Sequence, residues 1–291
     1  MVIHMANPGY KGQNIYFLTV VALFIVLHTV LYFPVYLRLV QAWGSMPQCS
    51  HGYFVLPIIA WLCFMKHKSL QSNHVQPSYR GCIMTYAGLF VYVAALAYES
   101  DTFAYLSYMI SIAGLIVSFF GLQLFKLFIF PYLFLFFMFP IPSSVYLRLT
   151  GSMKLLASTL SAGIISSFGI PVLRDGNIIQ LSNLQLSVVE ACSGMQSLVS
   201  YIMLGSLLAY HMKSSSWKKL TLIAVTIPVA LLNNIMRITS TGIIGQHYGI
   251  EAITGTIHDV IGMFIFVIGL MILISVYHWL VHLNKNSCVA S

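Results

Sequence analysis

Three residue types in this 291-residue chain can do acyl-transfer chemistry together: Cys192, Arg237 and His258. Cys192 sits in "VVEACSGMQSL" (188–198), Arg237 in "LLNNIMRITSTG" and His258 in "TGTIHDVIGMF". A thiolate is a competent nucleophile, and its pKa falls beside a cation or at a helix N-terminus. Cys192 opens a long apolar run, which supplies the helix start. His258 has the right chemistry to take the thiol proton and return it to a leaving amine. Arg237 stays charged at any working pH and offers several donors, which suits a thiolate or the oxyanion of a tetrahedral intermediate. Glu190 has the wrong sign to lower a thiol pKa, so its expected role is to cap the helix or pair with Arg237. Ser193 and Gly194 allow close backbone approach, and Asn233 and Asn234 flank the same point. His247, in "GQHYG", is the rival base. Asp259 is no dyad partner for His258, because adjacent residues on a helix point apart.

Each residue has a plainer reading. Cys at an apolar helix start is commonly a packing residue. Arg at a span end is commonly an interfacial anchor, and His at a helix start a cap. What joins the three is the topology that must position them.

That topology follows from composition. The chain is 59% hydrophobic and 7% charged, with mean hydropathy +0.88. A water-soluble domain carries about 25% charged residues, so this is a polytopic helical membrane protein. Its +8 net charge is scattered singly between apolar runs, which reads as topology signals and not as a nucleic-acid face. No cleavable signal peptide is evident. The five Cys (49, 63, 82, 192, 288) show no metal spacing. No metal or cofactor is expected.

The fold expected is all-α, a single domain over 1–291 of about eight transmembrane helices, near 15–36, 52–65, 82–98, 103–122, 125–139, 192–211, 219–237 and 257–281. The tail 1–14 is placed in the cytoplasm. Alternation then puts Lys11, Lys66, Lys68, Arg80, Lys126, Lys213, Lys218, Lys219 and Lys285 inside, against Arg38, Arg148, Lys154, Arg174 and Arg237 outside, the bias that sets orientation. Between spans five and six, "FPIPSSVYLRLTGSMKLLASTLSAGIISSFGIPV" reads as an amphipathic helix at the outer interface or packed obliquely into the bundle, since Arg148 and Lys154 make a full span costly. "GIPVLRDGNIIQLSNLQLSVVEA" follows, with an Asp-Gly turn signal and a second turn at Ser182-Asn183, and reads as a small β-hairpin delivering the chain to Glu190 and Cys192. Topology thus brings the thiol, guanidinium and imidazole to the outer ends of spans six, seven and eight.

"EACSGMQSL", "LLNNIMRITSTGIIGQHYG" and "GTIHDVIGMFIF", in that order, resemble the exosortase/archaeosortase family, as do the upstream "FLFFMFPIP", "FGIPV" and "GNIIQL". The resemblance covers about 50–282, with the catalytic part at about 129–266. It implies a thiol transpeptidase of a bacterial inner membrane, with termini in the cytoplasm and its site facing the periplasm. Its partners would be membrane-anchored proteins with a C-terminal signal: a short motif such as Pro-Glu-Pro, one span and a basic tail. The acceptor would be an amine, a glycan-borne amine included, or water. The family's Cys, Arg and His fall on Cys192, Arg237 and His258. Some relatives carry a basic residue where this chain has Gln196. Two rival readings are a non-catalytic component of exopolysaccharide export or assembly, and a transporter. The second is disfavoured because polar residues cluster at span ends, with no repeat evident.

Overall fold

A computed structural model describes residues 8–67, 76–188, 194–253 and 256–287, without the side chains of 8–14, 256, 258 and 284–287. It is mostly helical, and the chain divides into two compact units, Met1–Pro140 and Ile141–Ser291. Among the described residues, five helices are long and apolar enough to cross a membrane, and up to seven spans result if each of two helix pairs counts as one.

In the first unit, α1 (Pro8–Leu31) and α2 (Phe33–Ser45) replace the single span expected over 15–36. Pro34 lies in the first turn of α2, where its missing N–H costs nothing, but its ring prevents α1 from continuing. The axis turns by 60° there. The corner residue, Tyr32, is fully buried, and its hydroxyl lies 3.0 Å from Ser107 Oγ. After α3 (Gly52–Met65), α4 (Tyr79–Ala97) and α5 (Asp101–Leu127) form a closely packed helix pair. Gly81, Gly88 and Gly114 face backbone directly: a Cβ at Gly88 would fall 2.7 Å from Ser111 N, and one at Gly114 2.4 Å from Thr85 N. Small residues are how membrane helices approach each other when apolar surface gives no net drive. The span expected over 125–139 is instead the end of α5, the short α6 (Ile129–Phe134) and a 3-10 turn (Leu135–Met138).

In the second unit, α7 (Ser143–Ser167) buries Thr150, Ala157, Ser158, Ser161, Ala162 and Ile165, a helical stripe of mostly small residues. Its large apolar residues Leu147, Leu149, Leu155, Leu156, Leu160 and Ile164 are exposed. This amphipathicity is inverted relative to a water-facing helix: the small, polar stripe packs on protein and the leucines face outward, as suits lipid. Ser161 Oγ donates to Ile235 O at 3.3 Å.

The expected hairpin is a three-stranded antiparallel sheet, β1 (Val172–Asp175), β2 (Ile178–Leu181) and β3 (Gln185–Ser187), in order β1-β2-β3. Asp175 pairs with Ile178 across a two-residue turn, where Gly176 takes φ +59. The second turn signal therefore adds a strand, with Gln180 opposite Gln185.

Three helices complete the unit: α8 (Met195–His211), α9 (Ser216–Tyr248) and α10 (Thr256–Ser287). The α9 span expected to end at 237 continues for eleven more residues. At 1.5 Å per residue, its 33 residues reach about 50 Å, against a hydrocarbon core of about 30 Å. Lys219 and Arg237 lie 18 residues apart on it, about 27 Å, close to the thickness of one bilayer core. The rest of α9 carries the sheet: Asn183 N donates to Gln246 Oε1 and Asn183 Nδ2 to Gln246 O, each at 3.3 Å.

Gly88→Val should lower the thermal midpoint in detergent by several degrees, because its side chain meets the Ser111 backbone, which cannot swing aside. Substitution at Gly151, whose Cβ would meet nothing within 4 Å, should leave the midpoint nearly unchanged.

Candidate functional site

The site is built on the middle of α9. Val188 is buried at 2% exposure in one apolar cluster with Ile179 and Leu181 of β2, Ala157 and Ile165 of α7, and Ile235 and Ile238 of α9. Asn177, in the first sheet turn, fixes it twice. Val188 N donates to Asn177 O at 2.9 Å, and Asn177 Nδ2 donates to Val188 O at 3.0 Å. The sheet therefore releases the chain at a fixed point against α9.

The chain is next described at Gly194, which is buried and adopts φ +77, ψ −2, a left-handed conformation that favours glycine. A methyl group there would fall 2.9 Å from Asn234 Cβ, 3.0 Å from Asn234 Cγ and 3.2 Å from Asn234 Nδ2. Two requirements thus coincide at Gly194: a positive φ and room for the Asn234 side chain. Helix α8 starts at the next residue. Residues 189–193, and so Glu190, Cys192 and Ser193, lie outside the described residues.

Helix geometry separates the two adjacent asparagines by about 100°. Asn234 faces Gly194. Asn233 faces α8 and α10: its amide donates to the Tyr201 hydroxyl and, at 2.9 Å, to Ile265 O. Tyr201 in turn donates to Phe266 O at 2.8 Å and stacks on the Phe266 ring at 4.9 Å. Gly269 makes room for this knot, since a Cβ there would fall 2.3 Å from Tyr201 Oη and 2.6 Å from both Asn233 amide atoms. Asn233 is thus a tie between three helices.

Arg237 lies one turn beyond Asn233, half-buried. Its guanidinium rests on Gly262 of α10: a Cβ at Gly262 would fall 3.5 Å from both Cζ and Nε and 3.6 Å from Nη2. Gly262 and Gly269 are seven residues apart, two turns on one face of α10, so the same stripe admits the Asn233 knot and the Arg237 head. His258 is four residues before Gly262 and shares its face by that spacing; its side chain lies outside the described residues. His247 is ten residues past Arg237, about 15 Å along α9, and exposed.

Sequence reasoning singled out neither Asn177, Tyr201, Gly262 nor Gly269. The two glycines carried a signal, namely small residues at a seven-residue interval in an otherwise bulky span. Tyr201 carried none, being one aromatic residue among many.

Fold and site define a polytopic helical membrane protein in which a short sheet packs on a helix that carries an Asn-Asn pair and an Arg. The transmembrane exosortase family (Exosortase_EpsH) matches residues 43–275, most of the chain, and this protein belongs to that family. No curated protein and no solved structure matches it.

Gly194→Ala should cost about 1–2 kcal/mol from the positive φ alone, before the contact with Asn234. It should also raise the rate at which protease cuts within 188–195, read on protein in nanodiscs. Asn177→Ala should raise the same rate, because it frees the Val188 carbonyl.

Proposed function

We propose that this exosortase is a membrane-embedded cysteine transpeptidase that cleaves a C-terminal sorting signal at the outer face of a bacterial inner membrane and transfers the new C-terminus to an acceptor. Cys192 is the nucleophile, His258 the general acid/base, and Arg237 the cation that stabilises thiolate and intermediate. The observation that supports the reading is the placement of the two described residues that flank the Cys192 segment in sequence. Val188 and Gly194, the residues on either side of it, both rest on the Asn234–Ile238 stretch of α9 that bears Arg237. Cys192 is two positions before Gly194 in the chain, a reach of at most about 7 Å between their Cα atoms. On the other side, the Arg237 guanidinium rests on α10 one turn from position 258. His247, exposed and about 15 Å further along α9, fits the role of base less well.

The chemistry runs in two halves. His258 accepts the Cys192 proton, and the thiolate sulfur attacks the peptide carbonyl carbon just outside the substrate's span. A C–S bond forms and the carbonyl π pair moves onto oxygen. Collapse breaks the C–N bond as His258 protonates the leaving nitrogen, which departs with the span and its basic tail. An acceptor amine, or water, then attacks the thioester carbonyl. The new bond forms, the C–S bond breaks, and the acceptor's proton passes to His258. The substrate class fits the bundle: a single span can pack on its lipid-facing helices, and a basic tail inside holds the cleavage motif outside.

Cys192→Ala and Cys192→Ser should both accumulate full-length substrate carrying its C-terminal span, read by immunoblot in cells producing a tagged substrate. Arg237→Lys should lower processing by at least tenfold, because an ammonium does not reproduce the planar fork of donors. Normal processing by Cys192→Ala would refute the enzymatic reading and favour a non-catalytic role in exopolysaccharide export or assembly.

A further inference from the structure

A cleft of about 300 Å³ lies between α1 and α5 in the first unit. On α1 its wall is Val21, Phe24, Ile25 and His28, the i, i+3, i+4 and i+7 positions of one helix face. On α5 it runs from Ile112 to Phe120, and Tyr36 of α2 joins it. The two helices meet at either end. Phe17 packs edge-on against Phe119 and Phe120 at 6.2 and 6.4 Å, and His28 Nε2 lies 2.9 Å from Ser111 Oγ. Phe24 and Ile25 are exposed, so the cleft opens toward lipid. A histidine in the wall of an apolar intramembrane cleft calls for a reason. Ser111 Oγ sends its proton to Tyr108 O at 3.1 Å, so toward His28 it accepts, and Nε2 carries the ring proton. In a neutral imidazole Nδ1 is then an acceptor, and it makes no hydrogen bond among the described residues. Stacking on Tyr32 at 4.6 Å holds the ring in this orientation. The other polar groups of the cleft have spent their protons: Thr29 donates to Ile25 O at 2.8 Å and Tyr36 to the Tyr108 hydroxyl at 3.4 Å. The donor for Nδ1 must come from outside the chain. Water is a poor filler, because so apolar a wall gives it too few partners.

We propose that this cleft is a binding site for a long-chain aliphatic alcohol, its hydrocarbon chain lying along Val21–His28 and its hydroxyl donating to His28 Nδ1. The chemistry selects the class. An alkane leaves Nδ1 unpaired. An ionised carboxylate only accepts, and would meet the same lone pair. An ammonium brings a charge that a hydrocarbon setting penalises heavily. A hydroxyl is a neutral donor that a hydrocarbon chain can carry into the bilayer. The dimensions agree: seven residues from Val21 to His28 span about 10 Å, and the volume is at the lower end of the range for small-molecule sites. The chain enters sideways from the bilayer, past Phe24 and Ile25. The polar end is remote from both Ile15 and Gln76. Ile15 is 13 residues before His28, about 20 Å along α1, and Gln76 meets α5 at Gly121, nine residues past Ile112. The site lies within the first unit and does not depend on the reaction proposed for Cys192.

The probe is decan-1-ol with a photoreactive diazirine in its chain, compared with its methyl ether, which keeps the chain and loses the donor. On the full-length protein in nanodiscs, photolabelling read by peptide mass spectrometry should place the alcohol on residues 21–29 and 112–120. Excess decan-1-ol should displace it, and decane should not. The ether should label these peptides about fivefold less, the worth of one neutral hydrogen bond. His28→Phe keeps an aromatic ring against Tyr32 and removes the acceptor. It should lower labelling by the alcohol to the level of the ether and leave labelling by the ether unchanged. Equal labelling of the wild-type protein by alcohol and ether overturns the proposal, whether or not the His28 variant folds. So does labelling spread evenly over other lipid-facing helices such as α4, the result expected of bulk lipid on a featureless surface. Undiminished labelling of His28→Phe by the alcohol also overturns it, since the hydroxyl is then held by another group.

Discussion

The second unit depends on one contact: the backbone at Gly194 lying directly on the Asn234 side chain. It requires a glycine twice, for its φ of +77 and for the 2.9 Å that a Cβ would leave to Asn234. Four residues before the Cys192 position, Val188 is held by two hydrogen bonds to Asn177 and packed among Ile235 and Ile238. The segment between them is five residues long.

The three-stranded sheet is a delivery device. It is too small to be stable alone, and it gains its stability by burying Ile179 and Leu181 against α7 and α9. Ser158 Oγ donates to Gly176 O at 3.1 Å, fixing the first turn to α7, while Asn183 fixes the second to Gln246 near the end of α9. The second attachment needs α9 to run past Arg237. Of that helix's length of about 50 Å, the stretch beyond Arg237 is a platform for the sheet.

The helices around the site approach through small residues. Gly205 of α8 meets Thr226 of α9, Gly269 admits the Tyr201–Asn233 pair, and Gly262 admits Arg237. In a membrane, apolar faces gain nothing by meeting one another that lipid does not already supply, so close backbone approach and interhelical hydrogen bonds carry the specificity. The Asn233 knot is such a bond set. Its neighbour Asn234, a quarter-turn away, is free of that duty.

Membrane character, the run of helices, the turn signals before Glu190 and the order of the Cys, Arg and His motifs were all legible in the sequence, because hydropathy, Asp-Gly turns and short polar motifs are local properties. The count of eight spans was not. The corner at Tyr32 depends on where Pro34 stops α1, and α9 continues beyond its apolar stretch where the sheet is tied to Gln246. The inverted face of α7 was equally hidden: in lipid the large apolar residues need not point inward, so composition cannot say which face is buried. The sequence placed Asn233 and Asn234 together as one polar pair near Arg237. Only the tertiary structure separated them, because a 100° step on α9 turns one toward Tyr201 and Gly269 and the other toward Gly194, and which neighbours lie in those directions is a property of three packed helices and not of any one of them.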